Sequence, residues 1–182
     1  MYFTRERSLY HEGFVNVYIE RKNECGYILE DYKMDLDIVD AVLELNANIL
    51  SNKAQFKDED IAFIDVCSKW FGQCAYDQNY KLLDDMVNYD PRVTYPYHTH
   101  SNGTIFQSNT VFGGVQLDQN NTILNANALM FTYHVRFMED SDKERSTAWL
   151  NEVRDYLLDY RDSRIDIYFM TSLTLAQEIV GV

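Results

Sequence analysis

The stretch ALMFTYHVRF, residues 128–137, decides the fold class of this chain. Its large apolar side chains occupy every second position, at Leu129, Phe131, Tyr133, Val135 and Phe137. Alternation with a period of two predicts a β-strand with one buried face. The stretch FVNVYIE, residues 14–20, alternates in the same way and predicts a second such strand near the start of the chain.

Helical periodicity surrounds these strands. Asp35 is a predicted N-cap for a helix through residue 50, whose apolar stripe is Ile38, Val42, Leu45 and Ile49. Ser141 is a predicted cap for a second helix that ends near residue 160. The stripe of this second helix comprises Trp149, Val153, Tyr156 or Leu157, and Tyr160. Residues 165–169, IDIYF, then predict a closing strand.

The order of these elements predicts an α+β fold. A broken helical pattern over residues 53–90 indicates a helical insert, and the pair Gly113 and Gly114 marks a bend beside a further strand. The series β-α-(insert)-β-β-α-β is that of a ferredoxin-like split βαβ sandwich. We therefore expect one domain over residues 1–182.

Composition and charge exclude several classes of protein. The chain has 182 residues, and its 29 acidic and 16 basic residues give a net charge of −13. Such a surface repels phosphate, so nucleic acid is not an expected partner. No apolar run approaches the roughly 20 residues of a membrane-spanning helix. The chain is expected to be a soluble domain cut from a larger protein.

Cysteines and glycosylation sequons bear on the compartment. Cys67 and Cys74 could close a short loop around Gly72 or could be two ordinary buried thiols, and their spacing does not decide between these. Two N-x-S/T sequons, at Asn102 and Asn120, lie in stretches rich in turn residues. Exposed sequons favour an extracellular setting.

Few residues suggest chemistry. His98 and His100 could hold a transition metal with Asp90, although two histidines in a loop are more often simply polar surface. The acidic groups Asp84-Asp85 and Glu139-Asp140 with Asp142 are expected to be charges at helix ends. Motifs of nucleophilic, zinc-protease and nucleotide chemistry are missing from the sequence. We predict no catalytic residue, no metal and no cofactor.

Several short motifs follow one another in an order that carries a resemblance. They are IDVCSKW at 64–70 with Cys74, VTYP at 93–96, FGGV at 112–115, ANAL at 126–129 and TSL at 171–173. In this order the chain resembles the first large extracellular domain of Patched-related proteins. These belong to the resistance-nodulation-division superfamily of transporters and carry a sterol-sensing domain. Cys25 has no counterpart in that family pattern.

The resemblance implies a non-catalytic, porter-like ectodomain of a multi-pass membrane protein on the extracellular side of the plasma membrane. It implies a bridge between Cys67 and Cys74, and a role in sterol or lipid transport or in ligand recognition. The implied partners are the second ectodomain of the same protein, an extracellular protein ligand, and sterol or another lipid. The loop with Tyr97, His98 and His100 is the expected binding surface. The alternatives are a stand-alone module for a secreted or matrix protein and, third, a small hydrolase built on the carboxylates.

Overall fold

The computed structural model describes residues 12–22, 26–70, 72–74, 77–89, 92–100 and 103–173. The helices are α1 Leu36–Ser51, α2 Phe63–Val66, α3 Asp77–Asn88 and α4 Asp140–Asp159. The strands are β1 Glu12–Arg21, β2 Leu29–Glu30, β3 Lys33–Met34, β4 Ala54–Phe56, β5 Glu59–Ile61, β6 Lys69–Trp70, β7 Gln73–Cys74, β8 His98–Thr99, β9 Ile105–Phe106, β10 Phe112–Gly113, β11 Gln116–Leu117, β12 Ile123–Asn125, β13 Ala128–Arg136 and β14 Ile165–Thr171. The α+β class is therefore confirmed.

A four-stranded antiparallel sheet organises the chain, with the strand order β10-β13-β1-β14. β1 lies in the middle and pairs with β13 from Glu12 opposite Arg136 to Glu20 opposite Ala128. Its other edge pairs with β14, and neither register contains a bulge. The strands predicted at 14–20, 128–137 and 165–169 are confirmed, because each has the side-chain period that such a sheet requires.

The core lies on one face of this sheet. Val15, Val17 and Ile19 of β1 are buried beside the alternating apolar residues of β13, beneath α1 and α4. Trp149 of α4 is fully buried, and the Tyr133 hydroxyl donates to Asn46 Oδ1 of α1 at 2.8 Å. Burial of each large apolar side chain contributes about 1.5–3 kcal/mol, so this face supplies a large share of the driving force.

The two long helices begin in different ways. Asp35 caps α1 as predicted, because its Oδ1 accepts the Asp37 backbone N–H at 3.0 Å. For α4 the predicted cap at Ser141 is wrong: the N-cap is Glu139, without a side-chain cap bond, and Ser141 lies in the first turn. Acidic residues in that turn, including Asp140, are stabilised by the positive end of the helix dipole, and this interaction stabilises the helix start without a side-chain cap.

Residues 53–90 are only partly helical, which corrects the expected helical insert. Besides α2 and α3 they form two hairpins, β4–β5 and β6–β7. Lys57 takes a positive φ of 56° in the first turn, and Ala54 and Ile61 are buried across from each other. Ile64 of α2 is 60% exposed. Apolar residues this widely spaced fit a hairpin as well as a helix, so periodicity alone could not distinguish them.

The bend predicted at the glycine pair is present. β10 ends at Gly113, and Gly114 has a φ of 61°, which a glycine adopts without strain. A Cβ at Gly114 would lie 3.0 Å from the Cβ of Asn127. Within the described part of the chain, no helix has both the length and the apolar character needed to cross a bilayer.

Candidate functional site

The expected binding loop is a small hairpin, β8–β9, anchored at its base by hydrogen bonds to Thr94. The Thr94 hydroxyl donates to the Tyr97 carbonyl at 2.6 Å, and the Ser108 hydroxyl donates to the Thr94 carbonyl at 2.7 Å. Phe106 of β9 is buried, which fixes the hairpin to the body of the protein. Tyr97 remains 57% exposed, so this loop presents an aromatic side chain on a supported backbone.

The two histidines of this loop have different neighbours. His98 Nδ1 accepts the Thr94 backbone N–H at 3.3 Å. His100 Nε2 lies 3.3 Å from Asp85 Oδ1 of α3, and its ring meets the edge of Tyr89 at 6.5 Å between centroids. The structure therefore joins His100 to α3 and His98 to its own loop.

A metal site is not formed by the side chains that the structure describes. No group of three or more His, Cys, Asp or Glu side chains with ligand geometry occurs among them. Asp90, the third ligand considered from the sequence, lies outside the described residues. Of the acidic pair before it, Asp85 pairs with His100, whereas Asp84 accepts the side-chain amide of Asn88 at 2.7 Å.

Cys67 and Cys74 form a disulfide, with Cα atoms 5.5 Å apart. It closes the β6–β7 hairpin, whose turn contains Gly72 with a φ of 84°. Both cysteines are buried, and the neighbouring Ser68 N–H donates to the His134 carbonyl of β13 at 2.8 Å. The disulfide is thus built into the side of the main sheet. Cys25 lies outside the described residues.

Asn120 lies exposed in a tight turn between β11 and β12. The Asp118 carboxylate accepts the backbone N–H groups of Thr122 and Asn120, and the hydroxyl of Tyr32. These donors, the Thr122 N–H first, lower the pKa of Asp118, and the same carboxylate raises the pKa of the Tyr32 hydroxyl. The side chain of Asn120 points from a fixed turn, whereas Asn102, the other sequon, lies outside the described residues.

Two clefts of about 320 Å³ each are lined in part by charged residues, several of which already have partners. One lies between the β4–β5 turn and the start of α4, where Arg145 bonds Glu59 at 2.8 Å. The other runs along β14 and the end of α4. There the Arg164 guanidinium and backbone N–H lower the pKa of Asp162 to about 2, and burial raises the pKa of Tyr160 to about 12.

The sheet face opposite α1 and α4 was not predicted as a functional surface. Across three adjacent strands, Met130, Tyr18 and Tyr168 stand opposite one another in a row. Tyr168 is 60% exposed and Tyr18 is partly exposed. The signal was present in the sequence, because these residues occupy the second set of alternating positions, but polar neighbours such as Asn16 and Thr132 made that face appear merely solvated.

No protein-family model matches this sequence, and a search of curated proteins finds no significant match.

Proposed function

We propose that this chain is a non-catalytic ectodomain of a Patched-related multi-pass membrane protein, exposed on the extracellular side. It contributes to sterol or lipid transport, or to recognition of an extracellular ligand, by presenting surfaces. Its partners are the second ectodomain of the same protein, an extracellular protein ligand, and sterol or another lipid. The observation that carries the proposal is the sheet face on which Met130, Tyr18 and Tyr168 form an aromatic and thioether row that no helix among the described residues covers.

The fold we propose within the α+β class is the ferredoxin-like split βαβ sandwich. The strand order β10-β13-β1-β14 supports it, with α1 following β1 and α4 following β13. The hairpins and helices of residues 53–90 are then an elaboration between the first helix and the second strand of that pattern.

The Cys67–Cys74 disulfide supports an extracellular location, because disulfides persist in oxidising compartments and are rare in the cytosol. We expect the chain secreted from eukaryotic cells to yield a linked Cys67–Cys74 peptide under non-reducing conditions. We also expect glycosidase treatment to remove mass at Asn120 and Asn102. Free thiols at both cysteines together with unmodified asparagines would contradict the extracellular assignment.

Surface recognition is tested by removing the two tyrosines of the row that Met130, Tyr18 and Tyr168 form on the sheet face opposite α1 and α4. In a Tyr18→Ala, Tyr168→Ala double variant, we expect the secreted chain to lose binding to phosphatidylcholine vesicles containing cholesterol, or to the separately expressed second ectodomain. The matched control is Ile64→Ala, which removes an apolar side chain as exposed as Tyr168 from α2 and leaves the row intact. Unchanged binding in a folded double variant, measured by vesicle co-flotation and by pull-down, would contradict the proposal.

The runner-up is a stand-alone module for a secreted or matrix protein, and the exposed Tyr97 on its anchored hairpin favours it. A Tyr97→Ala, His98→Ala, His100→Ala variant separates the two functions. Loss of protein partners with retained lipid binding would favour the module, and retention of every partner would show that this loop does not bind them. Turnover of ester, peptide or phosphate substrates would overturn the non-catalytic assignment itself.

A further inference from the structure

Among the described residues β14 is an edge strand, and it lacks the prolines, lysines and bulges by which proteins often protect such edges. Its seven residues pair with β1 in an unbroken register, and no described strand lies on its other side. Between residues 165 and 171 there is no proline and no lysine. Exposed edges are normally interrupted by such residues or by bulges, because their unpaired backbone groups attract another strand. An edge this regular is therefore suited to pairing.

The direction of its backbone groups follows from one hydrogen bond. The Lys22 N–H donates to the Arg164 carbonyl at 3.0 Å, so Lys22 and Arg164 form a hydrogen-bonded pair at the start of the β1–β14 ladder. Bonded and non-bonded pairs alternate along antiparallel strands, and even-numbered residues of β14 therefore bond to β1. The N–H and C=O groups of Ile165, Ile167 and Phe169 consequently point away from the sheet.

An apolar groove runs beside these outward groups. Ile167 and Phe169 lie on the helix side of β14 and are only partly buried, next to Leu157 and Leu158 of α4. Leu158 is 56% exposed. The charged residues that line the groove are balanced, with Lys22 and Arg161 against Asp162 and Asp166. A balanced rim offers no complement to a strongly charged peptide, so it favours a strand of low charge, and Asp166 is the single charged residue of β14.

We propose that the occupant is β14 of a second copy, paired antiparallel about a two-fold axis at Tyr168. In this register Ile167 of one copy lies opposite Phe169 of the other, in a hydrogen-bonded pair on the groove side. Tyr168 meets its own symmetry mate on the outer face. Asp166 falls opposite Met170, so the pairing brings no like charges together within the strand. The two sheets become one continuous sheet, and this inference does not rest on the proposed ectodomain function.

The net charge sets the salt dependence of this dimer. Each copy carries −13, so two copies repel one another over distances that salt screens, with a Debye length of about 30 Å at 0.01 M and about 8 Å at 0.15 M. The contact itself consists of backbone bonds and apolar side chains, which salt does not weaken. Dimerisation therefore strengthens as salt rises, whereas a complex held by opposite charges weakens.

The test is sedimentation equilibrium of the full chain in a Cys25→Ser background, which excludes dimers linked through that thiol. We expect a reversible dimer with a dissociation constant in the micromolar to millimolar range, roughly −8 to −4 kcal/mol. Tyr168→Asp and Tyr168→Lys each place like charges at the axis and weaken it at least about tenfold. An equimolar mixture of these two variants restores the dimer, because opposite charges then meet at the axis.

Ile64→Asp is the matched control, since Ile64 is 60% exposed, as Tyr168 is, but belongs to α2 and not to the sheet, and it leaves the dimer unchanged. Ile167→Pro removes one outward N–H without removing a bond to β1, and it also weakens the dimer. A monomer at millimolar concentration and high salt overturns the proposal. The proposal is also overturned if the mixture of the two Tyr168 variants stays monomeric, or if the dimer weakens as salt rises. Circular dichroism verifies that each variant is folded.

Discussion

Two regions of this molecule are held together in different ways. The sheet half, comprising β1, α1, β13, α4 and β14, consists of long regular elements, with strands of 10, 9 and 7 residues. The hairpin half, residues 54–125, contains strands of only two or three residues. One cluster of buried apolar residues extends through both regions. In the hairpin half, turns, the disulfide and bonds between side chains and backbone take a larger share, so we expect it to open more readily.

α2, near the start of the hairpin half, is one of the joints between the two halves, beside the contacts of β4 with α4 and of β10 with β13. Phe63 packs its ring 5.0 Å from Trp149 of α4 and edge-on to Tyr133 of β13 at 5.8 Å between centroids. The Arg136 guanidinium of β13 donates to the Asp65 carbonyl at 2.7 Å. Because this joint is anchored in the core, loss of the core should open both halves, whereas loss of a turn or of the disulfide should open the hairpin half first.

The largest expected effect comes from Trp149→Ala. Trp149 is fully buried between the sheet and α2, and truncation of such a side chain leaves a cavity that costs about 3–5 kcal/mol. We expect the free energy of unfolding, measured in urea, to fall by that amount and hydrogen exchange to accelerate in both halves. Glu152→Ala on the exposed side of the same helix is the control, with a change within about 0.5 kcal/mol. If hydrogen exchange accelerated in the sheet half alone, the claim that α2 couples the two halves would be wrong.

The next effect in size belongs to the disulfide. A Cys67→Ser, Cys74→Ser double variant loses the constraint on a short loop, which the chain-entropy estimate values at about 2 kcal/mol. We expect hydrogen exchange to accelerate around β6 and β7 while β1 and β14 keep their protection. The double variant should also be insensitive to reductant, unlike the parent chain. Equal loss of protection in both halves would show that the two regions unfold as one.

The same division explains what sequence could predict. The sheet half was predictable because every second residue of β1 and β13 is apolar and because the α1 stripe recurs at helical spacing, so the local pattern and the tertiary burial agree. Asp35 was recognisable as a cap for the same reason. The start of α4 was missed by two residues, since Glu139, Asp140 and Ser141 are all compatible with a helix N-terminus.

The hairpin half was less predictable because two-residue strands have no period to detect. Its conformation depends on single residues with positive φ, such as Lys57 and Asn121, and on contacts with β13 that are distant in sequence. The candidate site shares this limit. Tyr97 could be chosen from its loop, but the pairing of His100 with Asp85 joins segments whose proximity no local pattern reveals.

A smaller effect on stability distinguishes the two interactions that Asp35 makes at the start of α1, the N-cap hydrogen bond and an ion pair. Asp35 accepts the Asp37 N–H and also pairs with Arg21 of β1 at 2.8 Å. We expect Asp35→Ala to lower the free energy of unfolding by about 1 kcal/mol, the usual loss for a removed N-cap. Asp40→Ala, an exposed acidic residue within the same helix, is the control and should change it little. If Arg21→Ala causes the same loss as Asp35→Ala, the ion pair rather than the cap accounts for the effect.

The smallest effects appear in acid, and they separate the halves again. Asp162 in the sheet half accepts the Arg164 guanidinium and backbone N–H, and these lower its pKa to about 2 from the usual 3.8. The unfolded chain therefore binds more protons between pH 4 and 2. Stability from this carboxylate is complete above the unfolded pKa and is lost as pH falls toward 2. Asp162→Asn should flatten the slope of unfolding free energy against pH in that window.

In the hairpin half, Asp118 corresponds to Asp162, because hydrogen-bond donors, the Thr122 backbone N–H first, lower its pKa as well. The sign is the same: its contribution is present above the unfolded pKa and is lost as the pH falls through the lower folded pKa. We expect Asp118→Asn to accelerate hydrogen exchange at residues 116–125 at neutral pH, where the carboxylate is charged, and to differ less from the parent in acid. Asp162→Asn should leave that segment unchanged at every pH. If either variant changed exchange equally in both halves, the division of the molecule into two separately opening regions would be wrong.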